Sequence, residues 1–221
     1  MLPLPHEQRR LWEEVAVQQN LEEGQLWYMV NQRFVDDFLA QINSDQMTNG
    51  FAPPAEPIAN DRLVVKTFSM GVPGLEEHAR FAAAQASSAI TQPVMTKPDL
   101  MEGKDFAWLS QEQWDLLVGW YGGGPELGRE VVRSRRRGLL IETNPLKLWV
   151  QGPAGGGKAP LVISRTATGE QLRRLAVEAC GEPVAESEVM SIVDGGWRRE
   201  VPREGEQPSK TLEDWGVEDF W

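Results

Sequence analysis

Three runs rich in proline and glycine divide the sequence and limit how long any helix or strand can be. The first, Pro53–Pro57, holds three prolines, which remove backbone donors and keep their neighbours extended, so it predicts a stiff, exposed loop. The second, Gly122–Pro125, is a helix stop, and the third, Gln151–Pro160, has the composition of a hinge or a hairpin loop. The patterns between these runs predict an α-rich domain up to residue 145 and a compact ββαββ domain after it.

The chain is long enough to bury a core, and its charge limits the partners it can have. Its 221 residues include 22 Lys and Arg against 33 Asp and Glu, and the net charge of -11 argues against general nucleic-acid binding because it repels phosphate backbones. No apolar run reaches the roughly 18 residues of a membrane span. The first residues also lack an apolar run of signal-peptide length. We therefore expect a cytoplasmic or nuclear protein that does not enter a membrane.

One cysteine and two histidines leave little room for catalysis or metal binding. Cys180 cannot close an intramolecular disulfide, and together with His6 and His78 it lacks the spacing of a common zinc site. A nucleophilic pair of Cys180 and His78 is disfavoured, because Cys180 falls on an apolar helical stripe. We expect no catalytic residue, no metal site and no cofactor.

The first domain is predicted to be built mainly of helices. Apolar residues at helical spacing predict one helix from Pro5 to Asn20 and a second from Trp27 to Ile42. Ser110 and Gln113 form a capping box that starts a further helix. The other elements expected here are a strand over 63–68, a helix over 75–90 and a short helix from Pro125 to Val132. Seven residues are expected in the core: Trp27, Phe34, Phe38, Trp114, Leu117, Trp120 and Tyr121. A ligand cage is the alternative for the tryptophans.

The second domain is predicted to be a small sheet with one helix. Strands are expected over 146–150 and 161–165, and a further strand over 139–143 precedes the boundary at residue 145. A second capping box, Thr168 with Gln171, starts a helix that ends at Gly181. A strand pair over 188–193 and 197–201 is joined by an Asp-Gly-Gly turn.

Two short segments have competing interpretations. Gly152–Lys158 matches the first seven positions of a phosphate-binding loop, but Ala159 replaces the magnesium-binding Ser or Thr, and Pro160 leads into a strand where a helix should begin. A hairpin loop is favoured over a nucleotide site. The basic run holds four arginines: Arg133, Arg135, Arg136 and Arg137. It is interpreted first as a solvated loop, with a nuclear-import signal and a docking patch for an acidic partner as the alternatives.

Four stretches, taken in order, resemble the DUSP domain of ubiquitin-specific proteases. They are Leu26-Trp-Tyr-Met-Val-Asn-Gln-Arg-Phe34, Pro53-Pro-Ala-Glu-Pro-Ile-Ala-Asn60, Asp105-Phe-Ala-Trp-Leu109, and Trp114 through Tyr121 and Pro125 to Val132. The resemblance implies a helix beginning Trp-Tyr, then a proline loop, then a Trp-Tyr helix followed by Pro and Arg-x-Val. In the proline loop, Ala or Glu replaces the family's central glycine. The segment 64–104 is longer than usual and is interpreted as an insertion.

The second half resembles the ubiquitin-like domain that often follows DUSP domains. Residues 146–150 and 161–165 correspond to the first hairpin, 168–180 to the helix and 188–201 to the next strand pair, while Thr211–Gly216 corresponds to the turn before a final strand. That strand is not in the sequence. We expect either that Phe220 and Trp221 substitute for it or that the chain is the N-terminal piece of a longer protein.

The resemblance implies an α+β chain in three parts. It covers 24–145 as a DUSP helical bundle with a small antiparallel sheet and 146–221 as a β-grasp ubiquitin-like domain without its last strand, and the helical pattern of residues 1–23 adds an N-terminal extension. It also implies a monomeric, non-catalytic interaction module of the ubiquitin pathway, with a substrate, an adaptor or its own protease domain as partner. A free-standing DUSP adaptor is the alternative. Five residues of the stiff loop are expected to bind the partner: Pro53, Pro54, Pro57, Ile58 and Asn60.

Overall fold

The computed structural model has mixed helix and sheet and divides into two compact units. It describes residues 2–16, 20–43, 56–65, 76–86, 93–151, 158–181, 191–194, 197–200 and 210–217. The first unit comprises residues 1–64, 94–131 and 139–141, and the second comprises 65–93, 132–138 and 142–221. The chain therefore leaves the first unit at residue 65, contributes to the second, and returns at residue 94.

The helices and strands are numbered in chain order. The helices are α1 (Pro5–Val15), α2 (Gln32–Asn43), α3 (Glu76–Ala86), α4 (Gln111–Tyr121) and α5 (Gly169–Cys180). The strands are β1 (Leu26–Asn31), β2 (Ile58–Ala59), β3 (Phe106–Ser110), β4 (Gly123–Gly124), β5 (Gly128–Ser134), β6 (Gly138–Ile141), β7 (Leu146–Gln151), β8 (Ala159–Ile163), β9 (Ser191–Asp194) and β10 (Trp197–Glu200). A short 3-10 helix covers Asn60–Arg62.

The first unit packs helices against one face of a four-stranded sheet. The sheet has the order β3-β1-β5-β6, and β1 pairs antiparallel with both β3 and β5. Side chains alternate across β1: Tyr28 and Val30 join the core with α2 and α4, whereas Met29 packs on the other face with Leu63 and Phe106. The sheet is therefore buried on both faces in this unit.

The predicted helix from Trp27 to Ile42 is wrong in its first part. Residues 26–31 are the strand β1, and the helix begins at Gln32, where the side chain of Asn31 accepts a hydrogen bond from the N–H of Arg33 at 3.0 Å. The strand β1 is apolar on both faces, so residues from either face can continue the helical spacing of apolar residues in α2. Trp27 and Val30 fit the predicted helix for this reason.

Two further predictions in this unit need correction. Gly128–Ser134 is the strand β5 and not a helix, because it pairs with β1 through Leu26 and Glu130. The strand expected over 63–68 is reduced to an isolated antiparallel bridge between Val64 and Thr96, and residues 66–68 lie outside the described part. The capping box of Ser110 and Gln113 is confirmed at the start of α4.

The second unit has a four-stranded sheet with the order β10-β9-β7-β8, and each described pair is antiparallel. The capping box of Thr168 and Gln171 starts α5, as predicted. Leu172 and Ala176 of α5 pack against one face of the sheet, together with Leu148 of β7. The strands expected over 146–150 and 161–165 are present as β7 and β8 with shifted ends, whereas the strand expected over 139–143 is β6 and belongs to the sheet of the first unit.

Helix α3, expected over 75–90, belongs to this second unit and packs on β8. Its Phe81 is fully buried and meets the ring of Trp149 edge-on, with the ring centroids 5.2 Å apart. Alternation along β7 places Trp149 on the face opposite Leu148, and therefore opposite α5. The described part of the unit thus has three layers: α3, the sheet and α5.

Candidate partner-binding site

The end of the proline loop is held by Asn60, whose side chain is completely buried. Its Nδ2 donates hydrogen bonds to the carbonyl oxygens of Met29 at 3.1 Å and of Pro125 at 3.0 Å. Its Oδ1 accepts a hydrogen bond from the backbone N–H of Asn31 at 3.0 Å. One amide group thus joins β1 to two segments that are distant from it in sequence.

Ile58, two residues earlier, is fixed by the close approach of another backbone. The strand β2 pairs in parallel with β4, with Ile58 opposite Gly123, and the N–H of Ile58 donates to the carbonyl of Gly122 at 3.0 Å. Gly123 has φ of +105°, and a Cβ at this position would overlap the backbone of Ile58. The peptide bond between Gly124 and Pro125 is cis. The base of the loop is therefore a fixed part of the first unit.

The five residues expected to bind a partner at this loop differ in their placement. Ile58 is 2% exposed and Asn60 is fully buried, so their side chains hold the base of the loop and do not present a surface. Pro57 is exposed. Pro53 and Pro54 lie outside the described residues. Partner binding at this loop stays a prediction, and Pro57 is the member of the set that the described part of the loop exposes.

Arg135, Arg136 and Arg137 lie on the turn between β5 and β6, which we call the basic turn, and Arg133 lies in β5 itself; all four are exposed. The hydroxyl oxygen of Ser134 accepts hydrogen bonds from the N–H groups of Arg136 and Arg137, both at 3.2 Å. The same hydroxyl donates to a carboxylate oxygen of Glu213 at 3.0 Å. The backbone that carries Arg136 and Arg137 is therefore fixed by a buried side chain.

Arg135 of this turn forms an ion pair within the second unit. Its Nη1 lies 3.0 Å from Oδ1 of Asp214. Hydrogen bonding by the backbone N–H of Thr211 and then by the guanidinium of Arg135 lowers the pKa of the Asp214 carboxyl below its ordinary value. Both partners therefore favour the carboxylate form of Asp214. The basic turn concentrates positive charge in a chain of net charge -11.

The seven residues expected in the core are packed as core residues. Trp27, Phe34, Phe38, Trp114 and Leu117 are buried, and Trp120 and Tyr121 are half-buried against the same cluster as Phe38. Tyr28 stacks on Trp114 with ring centroids 5.2 Å apart. The aromatic rings pack against one another by stacked and edge-to-face contacts, so core packing explains their positions and a ligand cage does not.

The glycine-rich segment lies between antiparallel strands, as the hairpin interpretation predicts. Val150 of β7 pairs with Ala159 of β8, and exposed Lys158 stands directly before β8. Residues 152–157 lie outside the described part. A phosphate-binding loop requires a helix N-terminus after its lysine, and here a strand follows, so the nucleotide alternative loses its structural basis.

Candidate chemistry elsewhere is limited in the part of the chain that the structure describes. Cys180 is half-buried at the end of α5. No group of three or more His, Cys, Asp or Glu among the described residues is placed to hold a metal ion. No described helix is long and apolar enough to cross a membrane.

Two buried polar residues with clear structural roles were missed by sequence reasoning. Gln8 of α1 is fully buried, accepts a hydrogen bond from the hydroxyl of Tyr121 at 2.8 Å, and donates to the carbonyl of Pro3 at 3.1 Å. Arg129 is 5% exposed and donates to the carbonyl of Val94 at 2.9 Å. Gln8 occupies a polar position in the pattern of an amphipathic helix, so nothing in the sequence indicates that its side chain is buried.

Comparison with known proteins places this architecture in a family context. The family model of the DUSP domain matches residues 24–133. The chain is 29% identical over 183 residues to ubiquitin carboxyl-terminal hydrolase 5 of Arabidopsis thaliana, a match that covers 79% of this chain and 19% of the relative. It is 28% identical over 168 residues to inactive ubiquitin-specific protease 5 of Oryza sativa subsp. japonica, covering 74% of this chain and 42% of the relative.

A further relative, ubiquitin carboxyl-terminal hydrolase 10 of Arabidopsis thaliana, is 21% identical over 199 residues, covering 86% of this chain and 19% of the relative. The chain therefore spans less than half the length of each of these curated relatives. The region of the family match contains the helix α4 and the three hydrogen bonds of the Asn60 side chain, which we call the Asn60 clamp. Residues 24–133 are a DUSP domain, and the chain that carries it is homologous to ubiquitin-specific proteases.

Proposed function

We propose that the chain is a non-catalytic interaction and regulatory module of the ubiquitin pathway, in which a ubiquitin-like domain follows the DUSP domain. The observation that carries the proposal is the DUSP match over residues 24–133 together with relatives named as ubiquitin carboxyl-terminal hydrolases. One relative is named as inactive, which is consistent with a role for such chains outside catalysis.

The second unit supports the ubiquitin-like part of this proposal by its order of elements. A hairpin of β7 and β8 is followed by α5 across one sheet face, and then by β9, which pairs with β7, and β10. A mixed unit of two strands, one helix and two strands is the arrangement that the resemblance implies.

We propose that a partner of the ubiquitin system contacts the exposed basic turn. Its positive charge is concentrated on a backbone that Ser134 fixes, so binding an acidic surface there requires little further ordering of the turn. Pro57 offers a second contact at the proline loop. The partner expected for this surface is the protease part of a ubiquitin-specific protease or its substrate.

The test adds the purified chain in trans to the Arabidopsis hydrolase 5 from which the matching part, 19% of its length, has been removed. Hydrolysis of a fluorogenic ubiquitin substrate and direct binding by calorimetry are measured. We expect binding and at least a twofold change in kcat or KM. The double change Arg136→Glu and Arg137→Glu should weaken binding, because it reverses two exposed charges.

The matched control changes two other exposed arginines, Arg10→Glu and Arg62→Glu, and alters the net charge by the same amount. It should bind as the wild type does. Equal weakening by both double variants would show a general charge effect and remove the basic turn from the proposal. Absence of both binding and a kinetic effect would contradict the regulatory role itself.

A further inference from the structure

Residues 2–5, which we call the Leu-Pro segment, end at the first residue of α1 and present apolar side chains to solvent. Leu4 is 60% exposed, the highest value among the large hydrophobic side chains in the described part of the chain, and Leu2 is 36% exposed. Pro5 is exposed as well, whereas Pro3 is half-buried. One exposed leucine is common on protein surfaces, but two leucines and a proline within four residues form an apolar surface.

The start of α1 gives no reason for a leucine at position 4. Leu4 is the N-cap of this helix, and its side chain makes no capping hydrogen bond. Ser, Thr, Asp and Asn are preferred at an N-cap because their side-chain oxygens accept hydrogen bonds from the first amides of the helix, whereas leucine cannot. Burial does not explain the leucine either. A residue that breaks a local rule of the fold without an apparent gain in stability points to a functional contact.

The backbone of the Leu-Pro segment is a short polyproline II helix. Leu2 and Leu4 both precede a proline, which disfavours the α region for them and favours extended conformations, and the ring of Pro3 fixes its own φ. Leu4 has φ of -67° and ψ of 153°. These angles are close to the polyproline II values of about -75° and about 145°. Because the sequence itself sets this conformation, little chain entropy is lost when the segment binds a partner.

Two side chains of α1 hold the Leu-Pro segment on the first unit. The fully buried Gln8 donates from Nε2 to the carbonyl of Pro3 at 3.1 Å, and its Oε1 accepts from the hydroxyl of Tyr121 at 2.8 Å. The carboxylate of Glu7 accepts a hydrogen bond from the N–H of Leu4 at 3.0 Å. The carbonyl of Leu4 accepts from the N–H groups of Glu7 and Gln8, both at 2.9 Å. The segment is therefore connected through Gln8 to the end of α4.

The exposed residues lie on two edges of this polyproline II helix. Such a helix has about three residues per turn, so its side chains lie along three edges. Leu2 and Pro5 are three positions apart and share one edge, Leu4 lies on the second edge, and Pro3 lies on the third. This assignment agrees with the burial, since Pro3 is half-buried and the other three residues are exposed. Two neighbouring apolar edges are therefore open to a partner.

The hydrogen bonds of the Leu-Pro segment limit the chemistry of its partner. The N–H and the carbonyl of Leu4 and the carbonyl of Pro3 already have partners within the fold, and the two prolines have no N–H. A partner strand cannot form a ladder of hydrogen bonds with this backbone. Recognition must therefore come from apolar shape, and grooves lined by aromatic rings bind polyproline II helices in this way.

We propose that the Leu-Pro segment is a docking site for a small protein domain whose groove is lined by aromatic side chains. Leu2 and Pro5 fill one part of the groove and Leu4 fills the neighbouring part, while Gln8 keeps the segment in its binding conformation. The segment lies outside residues 24–133 of the DUSP match, so the proposal goes beyond the proposed function and does not depend on it. Its test contains no hydrolase and no ubiquitin.

The test measures binding of the full chain to an array of purified SH3 and WW domains, followed by calorimetry on the domain that binds best. These domains take polyproline II segments in grooves lined by aromatic rings. We expect binding by at least one domain of the array. A variant of that domain in which one aromatic residue of the groove is replaced by alanine should not bind. No binding by any domain, or binding that survives the change in the groove, would overturn the proposal.

Leu4→Ser separates binding from folding, because serine is a better N-cap than leucine. This variant should unfold at a urea midpoint equal to or above that of the wild type, yet bind the domain at least tenfold more weakly. The matched control, Met101→Ser, removes another apolar side chain of the first unit that is 50% exposed, and it should bind as the wild type does.

Three results with these variants would contradict a docking role for Leu4. Equal affinities of the wild type and Leu4→Ser would show that Leu4 does not contact the domain. Equal weakening by Leu4→Ser and Met101→Ser would show a general effect of apolar surface. A urea midpoint that Leu4→Ser lowers would show that Leu4 serves the fold instead.

Discussion

Replacing Asn60 by alanine should lower the free energy of unfolding of the DUSP domain by more than the loss of one hydrogen bond would. The change removes two donated bonds and one accepted bond, and leaves the N–H of Asn31 and the carbonyls of Met29 and Pro125 without this partner; the bond to Met29 is buried and the other two are partly buried. A buried backbone group that loses its partner costs about 1 to 3 kcal/mol, with carbonyls at the lower end. Three such groups give about 3 kcal/mol, since some rebonding to water offsets the loss.

The measurement is urea unfolding followed by tryptophan fluorescence. With a slope of about 2 kcal/mol per molar urea, a loss of about 3 kcal/mol lowers the midpoint by about 1.5 M. Asn60→Asp keeps an acceptor but places a carboxylate against two carbonyl oxygens, so it should be at least as unstable. Asn20→Ala, at an exposed position, is the control. A midpoint for Asn60→Ala within error of this control would refute the reasoning that the buried amide clamps the domain.

Two other changes test the close approach at β4 and the ion pair of the basic turn. Gly123→Ala should destabilise the first unit severely, because φ is +105° and the new methyl would overlap the backbone of Ile58. The control Gly119→Ala in α4 has open space and should raise the urea midpoint slightly. Similar urea midpoints for the two variants would contradict this prediction. Arg135→Ala should raise the pKa of Asp214, measured by NMR titration, but not to its ordinary value, because the hydrogen bond from Thr211 remains. Since the pKa is lowered in the folded state, the stabilisation from Asp214 is present above the unfolded pKa and is lost as the pH falls through the folded pKa. If the free energy of unfolding falls in the same way at acid pH in the wild type and in Arg135→Ala, this ion pair does not stabilise the fold.

Elements that are specified by local chemistry could be predicted from the sequence. Both capping boxes, at Ser110 and Thr168, start helices where expected, because a side-chain oxygen and a glutamine three residues later satisfy the first amides of the helix locally. The composition of the glycine-rich segment likewise predicts the antiparallel hairpin of β7 and β8. These features need no knowledge of the rest of the fold.

Features that depend on contacts between distant segments were not predicted. The strand β1 is apolar on both faces because tertiary layers cover both, and its residues therefore continued the stripe of α2. Asn60 was expected at a surface because it follows a proline loop, yet its three hydrogen bonds come from partners 29 to 65 residues away. The ring contact of Phe81 with Trp149 likewise joins segments that no local pattern connects.

The clamp of Asn60 also bears on the kinetics of unfolding. Its bonds close chain loops with sequence separations of 29, 31 and 65 residues, so the entropy of loop closure must be paid before any of them forms. We expect bonds of this kind to form after the folding transition state, and interactions that form there slow unfolding with little effect on the folding rate. The buried amide should therefore prolong the lifetime of the native DUSP domain and limit its transient exposure to proteolysis.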